Sequence, residues 1–206
     1  MARSPMVPPI VVEDVVPQPA ELAAALRPAL GPHPVAQSDP RTRGLLREIA
    51  DDAARAVLDA ELPALAEVVR RLGDPRPPLL VLAVNETPPT EADSFLLRPH
   101  VDRRPEAGRF AGAAPLRTSV VFLDFPAEAR GGELVVFPRG AARGLASAPR
   151  ADARATVARV GGVMIAPRPG RVCTLDGKAA HAVLGYEAPG EARWRLVVVV
   201  AEFGDS

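Results

Sequence analysis

The chain has 206 residues; 48% of them are hydrophobic and 24% are charged, and 25 basic residues balance 25 acidic ones. This length suits one domain with a sizeable core, and we therefore expect residues 1–206 to form a single domain. The formal net charge of zero argues against a nucleic-acid partner, because proteins that bind nucleic acids carry clustered positive charge.

The cysteine content and the N-terminus bear on the compartment. Cys173 is the only cysteine, so an intrachain disulfide is impossible and a reducing compartment such as the cytoplasm is expected. Prolines and acidic residues interrupt the first sixteen residues, which therefore lack the apolar run of a signal peptide. The apolar run Leu196 to Ala201 is far shorter than the ~18 to 20 residues of a membrane span. The sequence thus predicts a cytoplasmic protein with no membrane partner.

The first part of the chain has the apolar spacing of amphipathic helices, with steps of three and four residues. Pro63 is expected to break or kink the last helix, and Gly73 followed by prolines to end it. Residues 1–78 are therefore predicted to be a helical lead-in. The residues with this spacing are Leu22 and Leu26, then Leu45, Ile49, Ala53 and Val57, then Leu58, Leu62, Leu65, Val69 and Leu72.

After residue 78 the pattern changes to short β-rich runs that are separated by turns containing Gly and Pro. Helices first and strands second predict an α+β fold that is mainly β, in which a sandwich or jelly roll over 79–206 carries the helices on its outside. The predicted strands are Leu79–Val84, Ser94–His100, Arg117–Asp124, Glu133–Phe137, Val163–Ala166, Arg171–Leu175 and Trp194–Phe203.

Two segments between predicted strands fit neither a helix nor a strand. Arg103–Pro115 and Gly140–Val157 are rich in Ala, Gly, Pro and Arg. Long loops in compact domains are often lids or disordered linkers. Because Arg103–Pro115 leaves directly from Asp102, we predict a substrate lid there. For Gly140–Val157, a lid and a surface excursion are equally consistent with the sequence.

His100, Asp102 and His181 are the candidate metal ligands. Residues two apart on a strand point to the same face, so His100 and Asp102 can share one metal. Two imidazoles and one carboxylate leave three coordination positions open, which is the facial-triad pattern of non-heme Fe(II) oxygenases. His-x-Asp alone is a weak signal in a chain with three histidines and twelve aspartates. Its position at the end of an apolar strand, well before a second histidine, strengthens the interpretation.

Four segments carry a family resemblance: FLLRPHVD, TSVVFLDFPAEARGGELVVFP, PRPGRVCTLDGKAAHAV and GEARWRLVVVV. They resemble the Fe(II)/2-oxoglutarate-dependent dioxygenases, and within that superfamily the prolyl-4-hydroxylase-like branch. The resemblance covers roughly residues 79–203, with a similar helical lead-in from Val11 onward. It implies a double-stranded β-helix, a distorted jelly roll, in which His100, Asp102 and His181 hold Fe(II) at one mouth. It also implies that 2-oxoglutarate and O2 are co-substrates.

The co-substrate site is likewise implied by the resemblance. Arg193, at the start of the last strand, is expected to pair with the distal carboxylate of 2-oxoglutarate, which arginine can bind in a bidentate fashion. Arg195 lies on the same strand face and is the alternative; the Arg-Trp pair after Gly190 favours Arg193. Thr118 is similar in position to a hydroxyl that lines the co-substrate pocket in relatives, although an ordinary β-branched strand residue is an equally good interpretation. Many relatives have a tyrosine where this chain has Phe122.

The reaction and the substrate are less constrained. An intact Asp102 favours hydroxylation, desaturation or ring closure, because halogenating relatives lack this carboxylate. Arg98 shares the strand face of His100 and Arg103 opens the predicted lid, so either could bind a substrate carboxylate; solvent-facing arginines are the alternative. We expect a monomeric hydroxylase of a small molecule such as a free amino acid or a specialised metabolite. The alternatives are a prolyl hydroxylase of peptides or proteins and a catalytically inactive jelly-roll binding protein.

Overall fold

A computed structural model describes residues 8, 10–34, 39–104, 110–141, 145, 151–189 and 194–205. Its α-helices are α1 (Pro19–Leu26), α2 (Asp52–Glu61), α3 (Pro63–Arg71) and α4 (Ala153–Val160). Its strands are β1 (Ile10–Asp14), β2 (Gly31–Pro32), β3 (Arg43–Ile49), β4 (Leu79–Thr87), β5 (Phe95–His100), β6 (Arg117–Asp124), β7 (Arg130–Gly131), β8 (Leu134–Val136), β9 (Val163–Ile165), β10 (Arg171–Asp176), β11 (His181–Leu184), β12 (Tyr186–Glu187) and β13 (Arg195–Phe203).

The strands form two main sheets that face each other. The larger sheet has the order β1-β10-β6-β13-β4-β3-β2, and the smaller has the order β5-β11-β8-β9. Within the described residues, the pairings in these two sheets are antiparallel. The sheets are open rather than closed into a barrel, and the result is the distorted jelly roll, mainly β, that the sequence predicts.

Strand β13 shows how the larger sheet separates two apolar layers. Leu196, Val198 and Val200 pack with the three N-terminal helices, whereas Val197 and Val199 face the smaller sheet. Each fully buried side chain of this type contributes roughly 1.5–3 kcal/mol, so the alternating pattern fixes which face meets the helices. A further cluster packs α4 on the outer face of the smaller sheet. The helices thus lie outside the jelly roll, as predicted.

Proline and glycine set the helix limits in the N-terminal part. Helix α2 ends at Glu61 and α3 begins at Pro63, because proline has no N–H to donate and is tolerated only in the first turn. The side chain of Asp51 caps the start of α2 by accepting a 2.8 Å hydrogen bond from the Ala54 N–H. Gly73 follows α3 with a φ of +85°, a conformation that favours glycine. The predicted break and end are both confirmed.

The helical interpretation of Leu45 and Ile49 is wrong. These residues belong to β3, which pairs with β4 from Arg43 to Ile49. A spacing of four residues places two side chains on one face of a strand as well as on one face of a helix, so the spacing alone could not decide. The helical pattern is correct for Leu22 and Leu26, which lie in α1, and again from Asp52 onward. Strands β1, β2 and β3 therefore extend the larger sheet from within the predicted helical lead-in.

The two unassigned loops are described in part. Helix α4 begins at Ala153 inside the segment Gly140–Val157, whose residues 142–144 and 146–150 lie outside the described residues. In the predicted lid, residues 105–109 also lie outside them. Its flanks are joined by a 3.0 Å hydrogen bond from the Arg104 N–H to the Ala113 carbonyl. Within the described part of the chain, no helix is long and apolar enough to cross a membrane.

Candidate metal centre

Two neighbouring strands bring the predicted ligands together. His100 ends β5 and His181 begins β11, and the two residues lie directly opposite each other in this antiparallel pair. Their ring centroids are 4.4 Å apart. Asp102 follows β5, with one carboxylate oxygen 3.3 Å from His100 Nε2 and the other 3.6 Å from His181 Nε2. One ligand atom from each residue lies within 4.8 Å of the other two, a spacing that a single metal ion can bridge.

Backbone carbonyls orient the two imidazoles. His100 Nδ1 lies 2.8 Å from the Arg98 carbonyl oxygen, and His181 Nδ1 lies 3.0 Å from the Ala179 carbonyl oxygen. A carbonyl only accepts, so each Nδ1 must carry the proton. Each Nε2 then faces Asp102. Metal-binding histidines in proteins are fixed in this way, with the second nitrogen donating to a backbone or carboxylate oxygen.

The electrostatics of the three groups suit a cation. Burial lowers the pKa of His181, which favours the neutral imidazole that a metal requires. Burial also lowers the pKa of His100, but the hydrogen bond and charge of Asp102 outweigh it and the net pKa is raised. Burial raises the pKa of Asp102, whereas the two histidines and Thr118 bring it down to about 2. Asp102 is therefore ionised at neutral pH and can bind a cation.

Thr118 contacts the candidate metal site through Asp102. Its hydroxyl, on the buried strand β6, donates a 3.1 Å hydrogen bond to Asp102 Oδ2. A hydroxyl that holds a ligand carboxylate fixes which oxygen lone pairs face the metal. The sequence suggested either a hydroxyl in the co-substrate pocket or an ordinary strand residue. Neither interpretation predicted that Thr118 would hydrogen-bond to Asp102.

A cavity of about 130 Å³ opens from the metal site between the two sheets. Apolar residues from β5, β6, β8, β11 and β13 form most of its surface, with polar groups at separate positions. The lining residues are Asp39, Thr42, Asn85, Thr87, Leu96, Leu97, His100, Asp102, Val120, Leu134, His181, Val183, Arg195, Val197 and Val199.

Arg195 is the cation that faces this cavity from the first position of β13. Its side chain is buried, and burial lowers its pKa to about 10. One Nη donates a 3.3 Å hydrogen bond to the Gly132 carbonyl, while Nε has no hydrogen-bond partner among the described residues. A buried guanidinium without a carboxylate is costly, because such charges are normally paired. Arg195 thus has the environment of a residue that binds an anionic ligand.

Tyr186 holds the start of β13 against the end of β4. Its hydroxyl accepts a 2.9 Å hydrogen bond from the Arg195 N–H and donates one of 2.7 Å to the Thr87 carbonyl. Burial raises the Tyr186 pKa to about 12, so the hydroxyl keeps its proton. The sequence offered no signal for this role, because Tyr186 lies outside every motif.

Structural comparison finds the same fold in solved proteins. A prolyl-4-hydroxylase from Pseudomonas putida is 18% identical, with a TM-score of 0.52, and the match covers 97% of this chain and 94% of that one. HygX from Streptomyces hygroscopicus, solved with nickel, 2-oxoglutarate and hygromycin B bound, is 16% identical with a TM-score of 0.52, and the match covers 98% of this chain and 88% of HygX. A 2OG-Fe(II) oxygenase family oxidoreductase from Burkholderia pseudomallei is 18% identical with a TM-score of 0.52, and the match covers 93% of this chain and 82% of that one.

The chain has the fold of the Fe(II)/2-oxoglutarate oxygenases. The comparison includes a prolyl-4-hydroxylase, in keeping with the branch that the sequence resembles. No protein-family model matches the sequence, and the comparison with curated proteins gives no match. The oxygenase fold is therefore recognised here from its structure and from the site it carries.

The other predicted site residues lie around the edge of this site or outside the described part. Arg98 is exposed and lies beside the cavity rather than in its lining, and its carbonyl orients His100. Arg103 is also exposed and donates a 2.9 Å hydrogen bond to the Gly112 carbonyl. Arg193 lies outside the described residues. Sequence reasoning did not identify Asn85 or Thr87, because the strand Leu79–Val84 was predicted to end before them.

Proposed function

We propose that this protein is an Fe(II)- and 2-oxoglutarate-dependent oxygenase that hydroxylates an unactivated C–H bond of a small molecule. The observation that carries the proposal is the pairing of two features in one cavity. A His-Asp-His cluster with mutually close ligand atoms faces it, and so does a buried arginine that has no carboxylate partner within the described part of the chain. The oxygenase fold supports the same conclusion.

The donor set fits Fe(II). Two neutral imidazoles and one carboxylate on one side of an ion leave positions for a bidentate 2-oxo acid and for O2. His100 Nε2, His181 Nε2 and one Asp102 oxygen would hold the ion. The backbone carbonyls of Arg98 and Ala179 keep each imidazole in the tautomer that leaves Nε2 available. Thr118 restrains the carboxylate.

Arg195 fits the distal carboxylate of 2-oxoglutarate. Its guanidinium is buried in the cavity that the candidate metal ligands line, and its Nε, which has no partner in the described ranges, can donate to an anion. Thr87 adds a buried hydroxyl without a partner among the described residues. We therefore assign the co-substrate role to Arg195 and Thr87, and Arg193 remains a candidate from the sequence alone.

Bound Fe(II) and 2-oxoglutarate would supply the oxidising chemistry, in which 2-oxoglutarate, O2 and the substrate C–H yield succinate, CO2 and the hydroxylated product. The residues of the chain do three things. Tyr186 sets the position of the Arg195 backbone, so that the guanidinium projects from a fixed strand end. Val120, Val197 and Val199 keep the cavity wall apolar and limit the entry of water. Asp102 remains ionised and balances the charge of the cation.

A small-molecule substrate agrees with one of the compared structures. HygX, which covers nearly the same length of fold, was solved with hygromycin B bound. Because a prolyl-4-hydroxylase from Pseudomonas putida has the same fold, a prolyl residue is the second candidate substrate. Succinate release is the test that separates them: compounds of low molecular weight and proline-containing peptides are supplied with Fe(II), 2-oxoglutarate and O2.

We expect a small molecule to stimulate succinate release above the rate without substrate, and His181→Ala to abolish the release. Stimulation by proline-containing peptides alone would favour the prolyl hydroxylase. If the folded protein, supplied with Fe(II) and 2-oxoglutarate, released no succinate under any condition, the remaining interpretation would be a catalytically inactive jelly-roll binding protein.

A further inference from the structure

The wall of the cavity formed by Asp39, Thr42 and Asn85 has no role in the metal or co-substrate site. Asn85 lies on β4 two residues before Thr87, so both side chains face the cavity. Thr42 immediately precedes β3 and is buried, and Asp39 lies three residues earlier. The N-terminal part of the chain therefore supplies polar groups to a cavity whose metal ligands come from the jelly roll.

Asn85 is held in one orientation by His33, the histidine that the metal site does not use. His33 Nε2 lies 2.5 Å from Asn85 Oδ1. The imidazole packs over Gly44, where a Cβ atom would lie 2.1 Å from His33 Cδ2. Only glycine leaves room for this ring, because any larger residue at position 44 would displace it. Gly44 is the β3 partner of Asn85, so the three residues form one local arrangement.

This arrangement determines what Asn85 offers to the cavity. An amide oxygen only accepts, so His33 Nε2 must donate to it. The amide nitrogen of Asn85, with its two N–H donors, has no partner among the described residues. It is therefore available to a ligand in the cavity. A group placed in this way recognises a hydrogen-bond acceptor such as a carbonyl or hydroxyl oxygen.

The charges in the cavity lining argue against an acidic substrate. Of the described lining residues, Arg195 is the one with a positive charge, and the co-substrate would use it. Asp39 lies on the Asn85 side, and its hydrogen bonds with Arg41 lower its pKa, so it stays ionised. Arg41 balances that charge in a 2.7 Å ion pair, so this side of the cavity offers an acid no unpaired cation among the described lining residues. Arg98 and Arg103 do not supply one, since neither lines the cavity.

We propose that Asn85 is a substrate-binding residue, positioned by His33, and that it selects an uncharged substrate bearing a carbonyl or hydroxyl acceptor rather than an acid. The inference rests on the proposed function, because it identifies the substrate class for the same cavity. It differs from the sequence expectation, in which arginines bind a substrate carboxylate.

The test uses matched probes and three variants. The full-length protein, loaded with Ni(II) and 2-oxoglutarate, is titrated with the methylamides of N-acetyl-proline and N-acetyl-leucine and with the corresponding free acids. Binding is followed by saturation-transfer NMR. Asn85→Leu removes the amide, Asn85→Asp keeps an acceptor but loses both donors, and His33→Phe keeps a ring over Gly44 but loses the hydrogen bond. Circular dichroism verifies folding.

We expect a methylamide to bind and its free acid to bind at least tenfold more weakly. We also expect about tenfold weaker methylamide binding in Asn85→Leu and Asn85→Asp, and a smaller loss in His33→Phe. Equal or tighter binding of the acids, no binding of either methylamide, or unchanged binding in both Asn85 variants would overturn the inference.

The two proposals fail separately. A parallel anaerobic titration with Fe(II) and 2-oxoglutarate reports the metal and co-substrate site through its visible absorption band. The Asn85 variants should keep this band, because the side-chain hydrogen bond of Asn85 goes to His33 and not to the candidate metal ligands or Arg195. A normal band without methylamide binding would refute only the substrate inference. Asn85-dependent binding of methylamides without a band would refute only the oxygenase function.

Discussion

At the residue scale, the candidate site depends on groups that orient its three side chains. The backbone carbonyls of Arg98 and Ala179 fix the imidazole tautomers, and the Thr118 hydroxyl restrains Asp102. Outer contacts of this kind typically change metal affinity by roughly 10–100-fold when they are removed. Separate predictions therefore follow for Thr118, which orients Asp102, and for Arg195, which is proposed to bind 2-oxoglutarate.

Thr118→Val should weaken Fe(II) binding about tenfold or more, because valine keeps the shape but cannot donate to Asp102. Competition with a chelator of known affinity measures the change. Thr118→Ser, which keeps the hydroxyl, should bind Fe(II) nearly as well as the original protein. Equal affinities in all three proteins would show that the hydroxyl does not restrain the carboxylate.

Arg195→Met should abolish the rise in melting temperature that 2-oxoglutarate causes in the metal-loaded protein. Without 2-oxoglutarate, the same variant should melt at an equal or higher temperature, because it removes a buried charge that lacks a carboxylate partner among the described residues. Differential scanning fluorimetry measures both effects. Arg193→Ala is the control and should keep the response to 2-oxoglutarate. The reverse result would transfer the co-substrate role to Arg193.

At the element scale, strand β4 explains why part of the site could not be found from the sequence. Its first six residues are apolar and were predicted, but Asn85, Glu86 and Thr87 look like the polar end of a strand. They continue the strand because each polar side chain meets other groups of the fold. Glu86 receives hydrogen bonds from Arg27 and Arg43 on the helix side, and its neighbours face the cavity.

Other elements follow from local pattern to different degrees. The strand Arg117–Asp124 was predicted with its observed limits, because it is buried, rich in β-branched residues and bounded by turns. The run Leu45–Ile49 was wrongly predicted to be helical, since its spacing fits two periods and pairing with β4 decides between them. His100, Asp102 and His181 were found through spacing, whereas Asn85, Tyr186 and the contact made by Thr118 depend on tertiary structure.

The reactivity of the Cys173 thiol reports whether the edge of the larger sheet stays closed. It lies on β10 between Val12 of β1 and Val120 of β6, and burial raises its pKa to about 11. The folded protein should therefore react with a thiol reagent such as dithionitrobenzoate only after β1 separates or the chain unfolds, because the thiolate is the reactive form. Rapid reaction at pH 8 without denaturant would show that this edge is open.

At the scale of the whole molecule, we propose that residues 1–206 form one domain and that the protein is a monomer. Strands β1 and β3 come from the N-terminal part and pair with β10 and β4 of the jelly roll. The N-terminal helices share a core with the same sheet. Neither part can bury its apolar face without the other.

Heating should therefore unfold the protein in one cooperative transition, with equal calorimetric and van't Hoff enthalpies. Two resolved transitions would show that the N-terminal part is an independent unit. Light scattering should give the mass of one chain, 21.7 kDa.

The central claim is that His100, Asp102, His181 and a buried arginine form one Fe(II) and 2-oxoglutarate site. Its most direct test is an anaerobic titration of the metal-free protein with Fe(II) and then 2-oxoglutarate, followed by visible absorption. We predict a metal-to-ligand charge-transfer band that is absent in His100→Ala and that requires far more 2-oxoglutarate in Arg195→Met. The absence of a band in the folded original protein would contradict the account.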